Sequence, residues 1–258
     1  MTTEYALVIG GSRGLGLATV RKLLSEGIPT IAVHRDFKKD MPAVKQAFAA
    51  FEDLRVPFHA IHKDAIRQTD LIVKTVKELL GEQGRIGVLV HSIAKGNLKS
   101  MAGDSESTTL TTEDFVLTGQ AMAYNLYTWA DRLRQEKLFA ADTRIIAFTS
   151  EGNKRVIPGY GAVAAAKASL EAIVRQIAVE FAGQGIRANC IQAGVTDTDS
   201  LRQIPESQRL IEASIGRNPF GRLTRPSDVA NAVFLLCREE AAWITGNVIK
   251  VDGGESLC

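Results

Sequence analysis

A glycine-rich turn near the start of the chain constrains its fold more than any other feature. The apolar run Leu7–Ile9 leads into Gly10, and Gly14 and Gly16 begin a segment with a helical pattern. A strand, a glycine turn and a helix in this order suit a dinucleotide, because glycines let the backbone approach a pyrophosphate and a helix N-terminus supplies free N–H groups. The spacing is Gly-x3-Gly-x-Gly, which departs from the common Gly-x-Gly-x-x-Gly fingerprint. The predicted nucleotide contacts are Gly10, Ser12, Arg13, Gly14, Leu15 and Gly16.

Short runs rich in Val and Ile alternate with helical patterns along the chain. The strand candidates are 5–10, 28–34, 56–62, 86–92, 143–149, 186–192 and 247–251. The helical stretches lie near 14–26, 41–54, 68–80, 112–138, 161–183 and 226–236. This βαβ rhythm predicts an α/β fold with a single Rossmann-like domain over 1–258, a doubly wound parallel sheet with helices on both faces. Ligands of such sheets bind at the carboxyl ends of the strands. Four residues near those ends should line one crevice: Gly10, Ser92, Ser150 and Ala193.

Charge and cysteine content narrow the partners and the location. The 258 residues carry a net charge of +2 with Lys and Arg scattered, so a nucleic-acid partner is not expected. Cys190, Cys237 and Cys258 show no metal-ligand spacing, and an odd number of thiols fits a reducing compartment. The N-terminal apolar run is too short for a signal peptide, and no run approaches a membrane span. We expect a soluble, cytoplasmic protein without a metal site.

Tyr160 and Lys167 stand seven residues apart in a helical pattern. Seven residues are nearly two helical turns, so both side chains lie on nearly one face, with their Cα atoms roughly 10 Å apart along the axis. A cation beside a phenol lowers the pKa of the phenol and lets it donate or share a proton at neutral pH. We predict that both residues are catalytic. The alternatives are half-buried packing of the Tyr and solvation of the Lys.

Taken together, these motifs resemble the short-chain dehydrogenases/reductases over nearly the whole chain. The resemblance rests on the glycine turn, Asp64-Ala65, the stretch Val88–Ala94, Tyr160 with Lys167, and the C-terminal stretch Ile249–Gly254. Ordinary members place Lys four residues after the Tyr and Ser thirteen residues before it, where this chain has Ala164 and Ala147. The resemblance implies a Rossmann fold and a nicotinamide-dependent oxidoreductase.

The Tyr-x6-Lys spacing is similar to that of a divergent branch, the enoyl-acyl-carrier-protein reductases of bacterial fatty-acid synthesis. The segments His91–Ala94, Ile157–Tyr160 and Ala166–Ala172 resemble that branch as well. Many of its members carry a second Tyr ten residues before the first, where this chain has Ser150, as in the NADPH-dependent FabL type. The 193–201 stretch also resembles that type. Ser150 either orients the substrate carbonyl group or ends a strand with a backbone hydrogen bond.

The resemblance implies reduction of the trans-2 double bond of an enoyl thioester, carried by acyl-carrier protein or CoA. Hydride addition at the β-carbon leaves an enolate on the thioester oxygen, which Tyr160 would stabilise as a donor. Lys167 would hydrogen-bond the nicotinamide ribose. A carbonyl reductase, such as a 3-oxoacyl thioester reductase, is the first alternative, weakened because Met122 takes the place of the structural Asn of ordinary members. A nucleotide-binding redox sensor without turnover is the second.

The end of the second strand bears on the choice between NADPH and NADH. His34 is followed by Arg35, and Arg13 lies in the glycine turn, so two guanidinium groups could converge on a 2′-phosphate. Asp36 is the counter-evidence, because an acid twenty residues past Gly16 could accept the ribose 2′-hydroxyl group and favour NAD. We expect NADPH, with NADH as the less favoured cofactor.

The remaining cofactor contacts carry over from the resemblance by position. Two residues after the third strand would border the adenine, and three after the fourth would lie along the ribose and the pyrophosphate. They are Asp64 and Ala65, and Ser92, Ile93 and Ala94. After the bend at Gly194, Val195 would face the nicotinamide with its main chain and Thr198 with its hydroxyl group. For Asp64, a simple turn residue is the alternative.

The segment 196–221 mixes apolar and polar residues in a helical pattern and resembles the substrate lid of the superfamily, whose apolar face would suit an acyl chain. Basic residues around it could form a rim for an acidic carrier protein, with plain solvation as the alternative. They are Lys95, Lys99, Arg202, Arg209 and Arg217. The long helices near 112–138 and 161–183 could pack against a second subunit, and the resemblance implies a homotetramer.

Overall fold

One parallel sheet of seven strands organises the protein. The computed structural model describes residues 3–105, 108–204 and 207–258. The strands are β1 Thr3–Ile9, β2 Thr30–His34, β3 Phe58–His62, β4 Gly84–His91, β5 Phe139–Ser150, β6 Ile186–Ala193 and β7 Val248–Val251. Their order in the sheet is β3-β2-β1-β4-β5-β6-β7, and every neighbouring pair is parallel. The predicted doubly wound sheet is confirmed, and each of the seven predicted strands overlaps an observed one.

The strands are apolar on both faces because helices cover both sides of the sheet. In β1, Leu7 and Ile9 point into one core, where Trp129 is the largest fully buried side chain. Ala6 and Val8 point into a second core on the opposite face. This alternation follows from the two-residue period of a strand. It explains why the strands read as continuous Val/Ile runs in the sequence.

The helices largely match their predicted stretches, and two of them differ from the prediction. The observed helices are α1 Gly14–Ser25, α2 Met41–Ala49, α3 Thr69–Leu80, α4 Thr112–Gly119, α5 Asn125–Gln135, α6 Gly161–Glu180, α7 Asp199–Arg202, α8 Ser207–Arg217 and α9 Pro226–Cys237. A π-helical turn, Gln120–Tyr124, separates α4 from α5, where a single helix was predicted. The helix predicted over 41–54 ends at Ala49, and the chain then turns to bury Phe51 against Phe58, with ring centroids 5.1 Å apart.

The strand order reverses between β1 and β4, so a crevice opens at the carboxyl ends of these two strands. Gly10 and Ser92 directly follow β1 and β4, as predicted, whereas Ser150 and Ala193 are the last residues of β5 and β6. The short helices α7 and α8 lie within the stretch predicted to form a lid. No helix in the described ranges is long and apolar enough to span a membrane.

Candidate active site

The glycine turn lies against the end of β4 with no room for side chains. Gly10 has a φ of +89°, and a Cβ atom there would lie 2.5 Å from the carbonyl oxygen of Ser92. A Cβ atom on Gly16 would lie 2.0 Å from the carbonyl oxygen of Gly10. Among the described residues, no side chain caps the N-terminus of α1, whose N-cap residue is Arg13. The turn therefore presents bare backbone and uncapped N–H groups, a cradle that fits a pyrophosphate.

The cradle and the segment after β6 meet across the crevice. A Cβ atom on Gly14 would lie 3.4 Å from the methyl carbon of Thr198. Leu15, Ala94 and Thr198 line one cavity, which also reaches Tyr160. The structure thus brings together the predicted residues of the turn, of the β4 end and of the segment after β6.

A buried carboxylate, Asp36, organises the exit of β2. Its side chain is only 5% exposed, and it pairs with Nε of Arg13 at 2.7 Å and with Nδ1 of His34 at 2.8 Å. Burial works to raise the pKa of Asp36, but hydrogen bonds from Ser12, His34 and Arg13 outweigh it and hold the pKa below its usual value. The pKa of His34 is itself lowered by burial, so the imidazole is neutral at pH 7 and the carboxylate carries the charge.

The two arginines predicted to converge on a 2′-phosphate instead contact different acids. The Arg13 guanidinium group also lies 3.1 Å from Asp40 and 3.1 Å from Asp199. Arg35 lies 2.7 Å from Asp64. In this structure carboxylates hold both guanidinium groups, and their convergence on a bound 2′-phosphate stays a prediction.

Asp64 is a turn residue, as its alternative interpretation held. Its Oδ1 atom accepts hydrogen bonds from the backbone N–H groups of Ile66 and Arg67 at 2.9 and 3.1 Å. Burial works to raise the pKa of Asp64, but these backbone bonds and Arg35 lower it overall. The carbonyl oxygen of the next residue, Ala65, accepts from Asn125 and Trp129, each at 3.1 Å. These contacts fix the loop after β3 to α5.

Lys167 is buried beneath the crevice instead of solvated. Its side chain lies on the inner face of α6, and Nζ donates to the carbonyl oxygen of Phe148 at 2.7 Å. Burial lowers the pKa of Lys167 to about 8, although the nearby Glu171 carboxylate opposes the shift. Glu171 follows one turn later and accepts from Thr149 and Asn153 at 2.8 and 2.6 Å. Sequence reasoning missed this acid, for which the spacing of four residues from Lys167 was the available signal.

Tyr160 is the N-cap residue of α6 and lies at the cavity with its ring against Gly152. Its pKa is raised by burial, and the hydrogen bond with the Ser150 side chain opposes the shift only partly. The expected lowering of this pKa by Lys167 is therefore not found, because Nζ of Lys167 is directed at Phe148. The Ser150 hydroxyl group also accepts from the N–H group of Gly152 at 3.1 Å. Ser150 thus ends its strand with a backbone hydrogen bond and contacts the phenol as well.

The backbone after β6 is hydrogen-bonded within the protein. The N–H group of Val195 donates to Oε2 of Glu255 at 3.1 Å, and its carbonyl oxygen accepts from Thr224 at 3.1 Å. The main-chain contact of Val195 with a nicotinamide stays a prediction, because a carbonyl oxygen can accept a second hydrogen bond. A Cβ atom on Gly194 would lie 2.3 Å from the Thr224 hydroxyl oxygen, so this glycine permits the close approach of the two segments. The Thr198 hydroxyl group caps α7 by accepting from Leu201 at 3.3 Å.

A charged group that sequence reasoning did not find closes the cavity on the side of α8. We call it the Arg217 cluster: Arg217, Glu255 and Glu151. Nη2 of Arg217 lies 3.0 Å from Glu255 and 3.5 Å from Glu151. Arg217 was predicted to lie on an exposed basic rim, but it lines the cavity and its side chain is only 17% exposed. Burial raises the pKa of Glu255, whose side chain is 2% exposed, and the charge of Glu151 adds to this.

The cavity above Tyr160 has a volume of about 200 Å³. Its lining includes the three charged residues of the Arg217 cluster and Gln192. The apolar lining residues include Leu98, Met122, Val163, Ile204 and Leu210. A phenol donor therefore lies at a small, partly open cavity beside the nucleotide cradle. That arrangement can hold a substrate carbonyl oxygen next to a proton donor.

Comparison with known proteins assigns the chain to a family. A protein-family model described as Enoyl-(Acyl carrier protein) reductase matches residues 9–256. The chain belongs to the short-chain dehydrogenase/reductase family. It is therefore an NAD(P)-dependent oxidoreductase of that family, in agreement with a cradle that fits a dinucleotide.

Curated relatives of this short-chain reductase include proteins named for different reactions. The enoyl-[acyl-carrier-protein] reductase [NADH] FabI of Aquifex aeolicus is 32% identical over 186 residues, 70% of this chain and 67% of that protein. A tropinone reductase homolog of Datura stramonium is 27% identical and covers 98% of this chain and 91% of its own length. The 3-oxoacyl-[acyl-carrier-protein] reductase FabG of Chlamydia muridarum is 26% identical, with 98% of both chains covered.

Among solved structures, the NADH-dependent enoyl-[acyl-carrier-protein] reductase of Aquifex aeolicus superposes with a TM-score of 0.84. The identity is 25%, and the superposition covers 100% of this chain and 98% of the other. The fold and the family are thus shown, while relatives with enoyl and with 3-oxoacyl reductase names are both distant.

Proposed function

We propose that the protein reduces the trans-2 double bond of enoyl thioesters with NADPH. The observation that carries this proposal is the arrangement of Tyr160 and Lys167. Tyr160 contacts Ser150 at the cavity, and Lys167 lies seven residues later, buried under the crevice. Ala164 occupies the position, four residues after the Tyr, where ordinary members of the superfamily carry the Lys. The Tyr-x6-Lys spacing resembles that of enoyl reductases.

In this mechanism the chain holds the thioester and stabilises the charge that develops on it. A bound nicotinamide cofactor supplies the hydride. The Tyr160 hydroxyl group donates a hydrogen bond to the thioester oxygen, where negative charge appears once the β-carbon has been reduced. Burial raises the pKa of Tyr160, so the phenol stays protonated and keeps its donor at neutral pH. The Lys167 ammonium group adds positive charge below the site, and solvent protonates the α-carbon.

The preference for NADPH over NADH rests on Arg13 and Arg35 at the exit of β2. Both side chains are about half exposed, at 42% and 49%, so they can turn from their carboxylate partners towards a 2′-phosphate. The opposing feature is Asp36, whose carboxylate holds Arg13. We expect the two arginines to prevail, because a guanidinium group binds a doubly charged phosphate more strongly than a carboxylate.

The acyl carrier is acyl-carrier protein or CoA, and the reaction would be the last reduction of a fatty-acid elongation cycle in the cytoplasm. Ser150 in place of a second Tyr resembles the FabL type of enoyl reductase, and that type is part of the proposal. A homotetramer is part of the proposal, supported by half-exposed Tyr124 and Tyr127 on the α4–α5 side and by exposed Val179 at the end of α6. Light scattering of the purified protein measures this state.

Carbonyl reduction is the second candidate function. It is favoured by the full-length match to the 3-oxoacyl reductase of Chlamydia muridarum and to the tropinone reductase homolog. The two reactions share the cofactor and differ in the reacting carbon, so a direct comparison of substrates separates them.

The experiment follows NADPH absorbance with crotonyl-CoA and, in parallel, with acetoacetyl-CoA. The expected result is oxidation with the enoyl thioester, lost by about 100-fold or more in Tyr160→Phe, which removes the donor alone. Phe139→Leu, a change in a half-buried residue of β5 far from the cavity, serves as the control. Turnover of acetoacetyl-CoA with none of crotonyl-CoA would overturn the proposal in favour of the carbonyl reductase.

A further inference from the structure

A short turn at the end of β5 contacts the Tyr160 side chain at two places. The turn spans residues 149–153, and we call it the Ser150 turn; its last part, Glu151–Asn153, is a 3₁₀-helical turn. The Ser150 side chain hydrogen-bonds the phenol, and a Cβ atom on Gly152 would lie 2.6 Å from Cε1 of the ring. The place of the phenol at the cavity therefore depends on where this turn lies.

One carboxylate oxygen holds both ends of the Ser150 turn. Oε1 of Glu171 accepts from the Thr149 hydroxyl group at 2.8 Å and from Nδ2 of Asn153 at 2.6 Å. Thr149 is the first residue of the turn and Asn153 the last, so the two bonds enclose the residues that touch the phenol. Glu171 belongs to α6, whose N-cap residue is Tyr160. The two bonds therefore tie the turn to the helix that begins at the phenol.

The burial of Glu171 makes these bonds specific. Glu171 is only 6% exposed, and a buried charge costs free energy unless it is hydrogen-bonded. The donors it receives are the uncharged groups of Thr149 and Asn153, while Nζ of Lys167 donates to the carbonyl oxygen of Phe148. A shift of the Ser150 turn would leave the buried carboxylate without these donors. One position of the turn is therefore favoured.

We propose that Glu171 is a positioning residue, which holds the Ser150 turn and thereby fixes the Tyr160 phenol at the cavity. The inference rests on the proposed role of Tyr160 as the donor, and it does not depend on which thioester is reduced. Glu171 is not among the residues that line the cavity, so it acts through the turn. A displacement of about 1 Å of an aligned group can cost about 100-fold in rate.

The first test removes the acceptor. In Glu171→Ala, kcat for the thioester should fall about 10- to 100-fold, because the phenol is no longer held in line with the reacting oxygen. The dissociation constant for NADPH should change little, because neither Glu171 nor the Ser150 turn belongs to the nucleotide cradle. Glu171→Gln keeps an acceptor oxygen on a side chain of the same length and should recover most of the rate.

A second test separates positioning from an effect of charge on Lys167, whose pKa burial lowers to about 8. Thr149→Val and Asn153→Ala each remove one donor and leave the carboxylate in place. Positioning predicts that each lowers kcat about 10-fold, and that Glu171→Ala adds little further loss to either variant. Normal rates in both donor variants, with Glu171→Gln as slow as Glu171→Ala, would overturn the inference in favour of the charge effect.

The position of the phenol can also be measured without turnover. The chain has four tyrosines, so labelling with 3-fluorotyrosine gives few ¹⁹F signals, and the signal that disappears in Tyr160→Phe belongs to Tyr160. In Glu171→Ala this signal should shift or broaden, while the signals of the other tyrosines stay in place. A Tyr160 signal identical to that of the wild-type protein would contradict the inference.

Glu180→Ala is the matched control, because Glu180 is an exposed acid of the same helix and lies outside the cavity lining. Its rate and its ¹⁹F spectrum should equal those of the wild-type protein. Thermal unfolding of every variant checks the fold. If Glu171→Ala does not fold, Thr149→Val and Asn153→Ala decide the question by the same two measurements, since both keep the buried carboxylate.

Failure of the proposed function has a different signature. If the protein reduces acetoacetyl-CoA and leaves crotonyl-CoA unreacted, enoyl reduction fails, and the same variants are compared with the ketone. If neither substrate is turned over, the ¹⁹F signal of Tyr160 decides alone. A shift in Glu171→Ala and in both donor variants would support the positioning role, and an unchanged signal in all three would overturn it.

Discussion

The nucleotide half and the substrate half of the crevice are built in different ways. In the nucleotide half, the cradle comes from one short segment. Backbone atoms of Ser92 and of the segment itself block the Cβ positions of Gly10 and Gly16. In the substrate half, the Arg217 cluster joins side chains from three distant parts of the chain, Glu151, Arg217 and Glu255. The first half depends on backbone shape and the second on side-chain pairing. The nucleotide half can therefore be predicted from local sequence, whereas the substrate half cannot.

Lys167 lies below both halves, and its removal should have the largest effect on turnover. Lys167→Met is expected to lower kcat by roughly 100- to 1,000-fold, the usual worth of one charge-stabilising group. NADPH oxidation with crotonyl-CoA measures this loss. Lys154→Met, in an exposed lysine outside the cavity lining, should leave the rate unchanged. Near-normal turnover in Lys167→Met would show that the charge below the crevice is not needed.

The same variant should lack a rise in stability that the wild-type protein shows between pH 8 and pH 10.5. Burial lowers the pKa of Lys167 from 10.5 to about 8, so keeping it charged costs up to ~3 kcal/mol at pH 7. Between pH 8 and 10.5 the unfolded lysine retains a proton that the folded one has lost, so the wild-type protein regains stability as pH rises. Denaturant unfolding of both proteins at pH 7 and pH 10 measures the difference. A difference in stability between the two proteins that is the same at pH 7 and pH 10 would contradict the buried charge.

Gly16→Ala breaks the nucleotide half alone. The added Cβ atom would lie 2.0 Å from the Gly10 carbonyl oxygen, so the cradle must shift, and the dissociation constant for NADPH should rise about 100-fold. Gly183→Ala is the matched control, because a Cβ atom there meets nothing within 4 Å. Fluorescence titration with NADPH gives both constants. Equal affinities in the two variants would mean that the cradle is not the nucleotide site.

Paired variants at the exit of β2 sharpen the cofactor preference. Arg13→Met should lower kcat/KM for NADPH about 10-fold, with little effect on NADH, because one phosphate contact is lost. Asp36→Asn should raise the NADPH:NADH ratio by a similar factor, because it releases Arg13 and removes a negative charge. Steady-state rates with both cofactors measure the ratios. Changes of the same sign in both variants would contradict the competition between Asp36 and a 2′-phosphate.

Glu255→Gln tests the substrate half with the smallest expected effect. The amide retains one acceptor but cannot serve both Arg217 and the N–H group of Val195 as the carboxylate does. We expect a loss of ~1–3 kcal/mol in the free energy of unfolding, the cost of a buried donor left without its partner, and a several-fold rise in KM for the thioester. NADPH affinity should change little. A large loss of NADPH affinity with normal KM would place Glu255 in the nucleotide half.

The fold and the cradle could be predicted because their causes are local. The continuous Val/Ile runs of β1 and β2 follow from burial on both faces, and the glycines mark a turn without space for Cβ atoms. The π-helical turn Gln120–Tyr124 adds a single residue to a helix, which hydrophobic periodicity does not register.

The rest of the site depends on contacts across the fold. Arg217 reads as a surface residue near the end of an amphipathic helix, and only the return of the C-terminal segment brings Glu255 beside it. The Tyr160 pKa likewise depends on burial and on where Lys167 points, neither of which the seven-residue spacing determines. Arg13, Arg35 and Asp36 stand out in the sequence, whereas the pairing of these arginines with Asp40, Asp64 and Asp199 depends on the fold.

The position of transferred hydrogen tests the central claim most directly. NADPH deuterated at C4 of the nicotinamide is supplied together with crotonyl-CoA and acetoacetyl-CoA in one reaction, and the acyl products are analysed by mass spectrometry. Enoyl reduction predicts butyryl-CoA with deuterium on the β-carbon and unreacted acetoacetyl-CoA. Deuterated 3-hydroxybutyryl-CoA with unreacted crotonyl-CoA would contradict it and identify a carbonyl reductase.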